Sequence, residues 1–150
     1  MAKLWFLNKY FCVAISVLML LACGGGGGGG SSSKPTPNIS VSRSVDFGGI
    51  ILDNNADRIL EIRNTGSANL TVGPISQPNP PFSIVSDNCS SSMLSPSQPC
   101  SITVRFSPTD QSPIDPFTSE FSIPSNDPDS GNVNITLSGE GYGLNVWINE

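Results

Sequence analysis

Apolar and polar residues alternate with a period of two through most of the chain after residue 38. The clearest case is "CSITVRF", where Cys100, Ile102, Val104 and Phe106 face one way and Ser101, Thr103 and Arg105 the other. In "RILEIRN", Leu60 and Ile62 alternate with Glu61 and Arg63, and in "NVNITLSG" Val133, Ile135 and Leu137 oppose Asn132, Asn134 and Thr136. Phe121 and Ile123 alternate with Glu120 and Ser122. Shorter candidate strands are "ISV" at 39–41, "VDFG" at 45–48, "LTVGPI" at 70–75 and "FSIV" at 82–85. Turn-forming runs separate them: "LDNNAD" at 52–57, "NTGSAN" at 64–69, "SQPNPP" at 76–81, "SPTDQSPIDP" at 107–116 and "SNDPDSG" at 125–131. After residue 23 no stretch shows sustained 3.6-residue apolar spacing. About seven or eight short, half-buried strands in roughly 100 residues predict an all-β domain, two antiparallel sheets packed face to face. The one-sided alternation argues against a parallel sheet, whose strands are apolar on both faces.

The first residues follow a different pattern. Lys3 and Lys9 precede an apolar run, "FCVAISVLMLL", from Phe11 to Leu21, and small Ala22 precedes Cys23. The run is shorter than the ~20 residues a spanning helix needs, and the layout is that of a secretory signal peptide. Leu20-Leu21-Ala22-Cys23 resembles the bacterial lipobox, in which the Cys is acylated and cleavage falls just before it. The departure is Leu21, where Ala, Ser or Thr is commoner. This implies a lipoprotein signal peptide over 1–22 and lipid on Cys23. An ordinary signal peptide cut near Ala22 and an uncleaved anchor are the other readings of the same residues. Several acyl chains, at about 0.8 kcal/mol per buried CH₂, hold a domain firmly on a bilayer. Gly24, rather than Asp, follows the Cys, which by analogy with enterobacterial sorting points to the outer membrane.

Residues 23–37 then form a tether. "GGGGGGGSSSKPTP" contains nothing that can bury, and behaves as flexible coil stiffened at its end by Pro35 and Pro37. Its root-mean-square reach is ~20 Å. A phosphate-binding glycine loop would need a strand before it and a helix after it, and neither is present.

Composition narrows the function. Only 13% of residues are charged against 37% hydrophobic, which fits a folded domain. Without Lys3 and Lys9 the chain has five basic residues against twelve acids, a net charge of −7 with no basic patch, which excludes nucleic-acid binding. The chain has no His, so Ser-His-Asp and Cys-His catalysis are excluded. Lys34, the only Lys after the leader, sits in the tether. No catalytic residue, metal or cofactor is therefore expected. Asp127 and Asp129 could offer oxygen ligands to calcium, but the run lacks the remaining acids of a calcium loop, and a bare turn explains it. The sequons at Asn38, Asn69, Asn88 and Asn134 are read as composition in a bacterial chain. Phe47, Phe82, Phe106 and Phe121 fall on apolar faces and are expected in the core.

The stretches "VDFGGI", "EIRNTGSANLTV", "FSIVSDNCS…LSPSQPCSITVRFSPT" and "IPSNDPDSGNVNITLSGEG" follow one another in that order. Together they resemble the ASH-type, or choice-of-anchor D, immunoglobulin-like domains, relatives of the major sperm protein and PapD-like sandwiches. The resemblance runs from about Ile39 to Gly141 and implies an immunoglobulin-like β-sandwich over 38–141, non-catalytic as a class. Gly66 and Gly139 suit positive φ or close backbone approach, and Asp127-Pro128 sets a turn. The family tends to carry Cys89 and Cys100 on either side of an "LxPG" turn, here Leu94-Ser95-Pro96-Ser97, which implies a disulfide in an oxidising compartment. Free thiols are the alternative. Residues 142–150, with Val146, Trp147 and Ile148, form either a tail pairing with a sheet edge or the start of a further domain.

The expected protein is a lipid-anchored bacterial envelope protein, held on the membrane through Cys23, with a non-catalytic binding or spacer module and a protein partner. A PapD-like chaperone would need a cationic groove, for which only Arg43, Arg58, Arg63 and Arg105 could serve. Glycan binding would need exposed aromatics.

Overall fold

The computed structural model describes residues 33–110 and 116–143. The predicted leader, Cys23, most of the tether, part of the 107–116 loop, and Trp147 with most of the tail lie outside the described residues. Nine strands follow in chain order: β1 (Ile39–Ser40), β2 (Ser44–Ile51), β3 (Ala56–Asn64), β4 (Leu70–Thr71), β5 (Phe82–Asp87), β6 (Met93–Leu94), β7 (Pro99–Phe106), β8 (Phe117–Pro124) and β9 (Asn132–Tyr142). One sheet has the order β1-β3-β7-β5, the other β2-β9-β8, and β4 pairs with β6 in a small ladder. Among the described residues there is no helix, and hence none long and apolar enough to cross a membrane.

The alternation seen in the sequence fixes which side chains meet between the sheets. Ile102, Val104 and Phe106 of β7 and Val133, Ile135 and Leu137 of β9 are buried, as are Leu60 and Ile62 of β3. The four predicted core Phe residues are all 4% exposed or less. Phe47, Phe82 and Phe106 form a triangle of rings with centroids 4.7–5.7 Å apart, a geometry that adds to their burial. Gly139 lies against this cluster: a methyl there would meet the Phe106 ring at 2.7 Å. Gly66 is likewise a close approach, to the backbone of Thr36–Asn38. Neither needs a positive φ, whereas Gly48 does, at +66°.

Three local expectations change. First, β2 pairs with β9 in parallel, where only antiparallel ladders were expected. The chain runs through β1 in one sheet, crosses at 41–43, and continues as β2 in the other sheet alongside β9. One-sided alternation does not exclude this. A single parallel ladder at the border of a sandwich buries one face only, and β9 alternates buried and exposed along most of its length. Second, "LTVGPI" is a strand only at Leu70–Thr71. Pro74 and Pro78 remove ladder donors, and the chain from Val72 to Asn79 runs instead along the flank of the sandwich. Val72 bridges Ser125, the Gly73 N–H donates to the Pro124 carbonyl, and the Asn79 N–H donates to Ser119 Oγ. The Phe82 N–H donates to the Asn79 carbonyl on the same side. Third, β6 is a two-residue strand that pairs Leu94 with Leu70 and was not expected.

Candidate functional site

A functional site needs polar groups that the fold does not already use. Asn64 is fully buried at the end of β3. Its Oδ1 accepts the N–H groups of Gly66 (2.9 Å) and Asn38 (3.4 Å), and its Nδ2 donates to the carbonyls of Ala68 (2.8 Å) and Leu94 (2.9 Å). That fills the amide's hydrogen-bonding capacity and explains the "NTG" of the sequence as a structural hub.

Asp127 is 4% exposed in the β8–β9 turn. Its Oδ2 accepts the Ile39 N–H at 2.8 Å, and its Oδ1 accepts the N–H groups of Asp129 (2.9 Å) and Ser130 (3.2 Å). Burial pushes the carboxyl upward, but the three donors outweigh it and hold Asp127 below the usual range for Asp. Both oxygens face N–H donors, so the "SNDPDSG" run is a pinned turn rather than a cation site. Among the described residues no group of three or more His, Cys, Asp or Glu could hold a metal.

Cys89 and Cys100 form a disulfide with Cα atoms 5.4 Å apart. It closes a loop built around the Ser95–Gln98 turn, in which the Gln98 N–H donates to the Ser95 carbonyl and Ser97 has φ +67°. Asp87 anchors the other side of that loop. Its Oδ1 accepts the N–H groups of Cys89 and Ser90, and its Oδ2 accepts the Ser90 hydroxyl. Burial raises the Asp87 carboxyl, and the hydroxyl and the two N–H groups together hold it below its ordinary value. A cleft of about 400 Å³ lies beside the disulfide, lined among others by Glu61, Asn88, Met93 and Gln98. Its polar groups do not converge: Glu61 is bonded to Arg63, and Gln98 Oε1 accepts the Ser95 N–H.

The four Arg residues do not form a cationic groove. Arg105 grips Asp57 with two bonds of 2.7 and 2.8 Å, which hold the Asp57 carboxyl below its usual range. Arg63 pairs with Glu61 and donates to the Ser97 carbonyl. These two pairs sit at opposite ends of the β3–β7 ladder, at the Asp57–Arg105 and Arg63–Pro99 registers. Arg58 donates to the Asp57 carbonyl and lies 5.7 Å from the Phe47 ring centroid. The Arg43 carbonyl accepts the Thr136 N–H. Tyr142, 51% exposed, is the one aromatic among the exposed large apolar side chains of the described residues.

Sequence reasoning missed two surface features. Gln77 lies beside β5: its Oε1 accepts the Ile84 N–H at 2.8 Å, and its Nε2 reaches the Ile84 carbonyl at 3.5 Å. Ile59, at the centre of β3, is 75% exposed. The parity of "RILEIRN" places Ile59 with Glu61 and Arg63 on the outer face, which was the available signal.

Residues 37–140 match the model of the HYDIN/CFA65/VesB-like, Ig-like domain. Among solved structures, the chain is similar to a protein of unknown function from Porphyromonas gingivalis W83 (TM-score 0.58, 21% identity, 70% of this chain and 47% of that one). It is also similar to the ASH/PapD-like domain 7 of human CEP192 (TM-score 0.57, 13% identity, 88% and 99%). A third is the VesB protease of Vibrio cholerae (TM-score 0.55, 18% identity, 69% and 31%). At these identities the likeness is one of fold. The chain spans about half the length of the Porphyromonas protein and about a third of VesB. No curated protein matches the chain.

Proposed function

Because the chain belongs to the HYDIN/CFA65/VesB-like Ig-like domain family, we propose that it is a non-catalytic binding or spacer module. Lipid on Cys23 holds it to a bacterial cell envelope, at the outer membrane. The observation that carries the non-catalytic reading is the use of its polar groups. Asn64, Asp87 and Asp127 are each tied to backbone groups and Arg105 to the Asp57 carboxylate, and the chain has no His to serve as a general base. The four-residue "LLAC" match and the short apolar run support the anchor. The glycine-rich stretch behind it lets the sandwich stand away from the bilayer and meet a protein partner.

The test is Cys23→Ser in the full chain, with fatty-acid labelling and membrane fractionation. Loss of label and release of the protein from membranes are expected. Unchanged labelling and fractionation would overturn the anchor.

A further inference from the structure

A two-sheet sandwich has edge strands on both flanks, and exposed edges invite other strands unless something blocks them. On one flank the chain from Val72 to Asn79 takes up part of both edges. It runs antiparallel to β8 through the Val72–Ser125, Gly73–Pro124 and Asn79–Ser119 contacts. It also covers β5, where Asn79 takes the Phe82 N–H and the Gln77 amide takes the Ile84 N–H. On the other flank β2 is interrupted by a bulge between Asp46 and Gly49, with Asp46 Oδ1 accepting the Gly48 N–H.

β3 is different. β1 pairs with it only at Asn64 and Arg63, so among the described residues the flank from Ala56 to Ile62 has no ladder partner. Ladder parity tells which groups face outward there. The Thr65 N–H donates to Asn38 on the β1 side, and the Asn64 N–H donates to Gln98 on the β7 side. The odd-numbered residues Asp57, Ile59 and Glu61 therefore turn their N–H and C=O groups to the open flank. The Arg58 guanidinium caps the Asp57 carbonyl, which leaves the N–H and C=O groups of Ile59 and Glu61 facing outward.

On this evidence, and resting on the binding-module reading above, we infer that β3 from Asp57 to Glu61 is a docking edge for one extended strand of a partner polypeptide. That strand carries an aliphatic residue opposite Ile59 and a Lys or Arg two residues to either side. Directly opposed residues in an antiparallel pair place their side chains on the same face. The partner's facing residues thus meet Asp57, Ile59 and Glu61, of which Ile59 is 75% exposed. Both carboxylates stay half-exposed within their ion pairs. Residues 38–143 carry eleven acids against four Arg, a net −7 that favours a basic strand. The same charges disfavour a second copy of this chain. Self-pairing about Ile59 sets Asp57 opposite Glu61 twice, and a shift toward Arg63 is blocked by Ser40.

The test uses the full chain in detergent and the capped peptide Thr-Lys-Thr-Val-Thr-Lys-Thr, with amide hydrogen exchange followed by NMR. Exchange at Ile59 and Glu61 is expected to slow about tenfold or more on peptide addition, with Ile84 and Glu120 unchanged. Methylating the peptide's Val nitrogen is expected to abolish the protection, and replacing both Lys by Glu to weaken binding about tenfold. Ile59→Pro removes the outward N–H and no β7 ladder bond, and is expected to abolish protection at Glu61. Ile59→Lys serves the same end by charge should the Pro variant fail to fold. Absence of protection at Ile59 and Glu61, or equal binding by the Glu peptide, would overturn the proposal. So would protection that grows with protein concentration alone, which assigns the edge to a second copy. The peptide experiment reads the edge whatever the fate of Cys23, so a failed anchor shows in fractionation and a failed edge shows here.

Discussion

The Asp127 carboxylate accepts the Ile39 N–H at 2.8 Å across 88 residues of sequence, and so ties the first strand of one sheet to the β8–β9 turn of the other. The same carboxylate holds the turn itself through Asp129 and Ser130. Asp127→Ala leaves three N–H groups without their charged acceptor, in a site with little water. The expected loss is about 3 kcal/mol, measured by urea denaturation. A loss under ~1 kcal/mol would mean that water replaces the clamp.

The pH dependence follows from the sign of the Asp127 shift. Its carboxyl is held below the ordinary value in the folded state, so its contribution is complete above that value and lost as pH falls through the folded pKa. Asp57 and Asp87 are shifted the same way, so the wild type alone does not isolate Asp127. The stability gap between wild type and Asp127→Ala is expected to be constant from pH 7 to about 5 and to shrink below about 4. A gap that stays constant to pH 2 counts against the assignment.

Asn64 makes the complementary prediction. Asn64→Asp keeps the shape but turns an oxygen toward the carbonyls of Ala68 and Leu94, where two N–H bonds now end. Two lost donors and a buried charge without a counterion are expected to cost about 3 kcal/mol or more at neutral pH. The cost should fall as acid neutralises the carboxyl, because here, unlike at Asp127, the charged form is the destabilising one. Thermal melts of the variant at pH 4 and pH 7 check it.

Ser97 occupies a position that favours glycine. With Pro96 before it and φ +67°, the Ser95–Gln98 turn has the form of a type II turn. The resembling family writes this turn "LxPG", and Ser97 stands where the glycine falls. Ser97→Gly is expected to stabilise by about 0.5–1 kcal/mol, or roughly 3–6 °C in Tm by calorimetry. An unchanged or lower Tm would show that the Ser97 strain is offset elsewhere.

The disulfide closes a loop of sequence separation 11, for which chain entropy gives about 3 kcal/mol. Replacing Cys89 and Cys100 together by Ala is expected to lower stability by roughly that amount while leaving the fold intact. Asp87 still pins the loop through the Cys89 and Ser90 N–H groups. Circular dichroism and a denaturation curve of the double variant check both parts.

How much of this was legible in the sequence depends on range. The strands with long one-sided alternation, β3, β7, β8 and β9, were readable because inward parity is a local signal. So was the position of Phe47, Phe82, Phe106 and Phe121. β6 was not, since two residues carry no periodicity and Met93–Leu94 exists as a strand only because Leu70–Thr71 lies beside it. The parallel β2–β9 ladder was hidden because strand partnership across more than 90 residues leaves no mark in either segment. For Asp127 the turn was readable from Asp-Pro, but its tie to Ile39 was not. The seal formed by Gln77 and Asn79 was the least legible. Its only trace was the Pro-rich composition of "GPISQPNPP", which signals that no ladder forms and is silent about what the segment covers.

That segment has a consequence for stoichiometry. Edge-to-edge growth of sandwiches into a ribbon needs two free edges per molecule, one to receive and one to extend. Here Val72–Asn79 already holds the Pro124 carbonyl of β8 and the Ile84 N–H of β5. A strand added at β3 therefore leaves a second flank whose edge is partly occupied, which opposes further addition. A domain built this way favours a single strand added at β3 over growth into fibres.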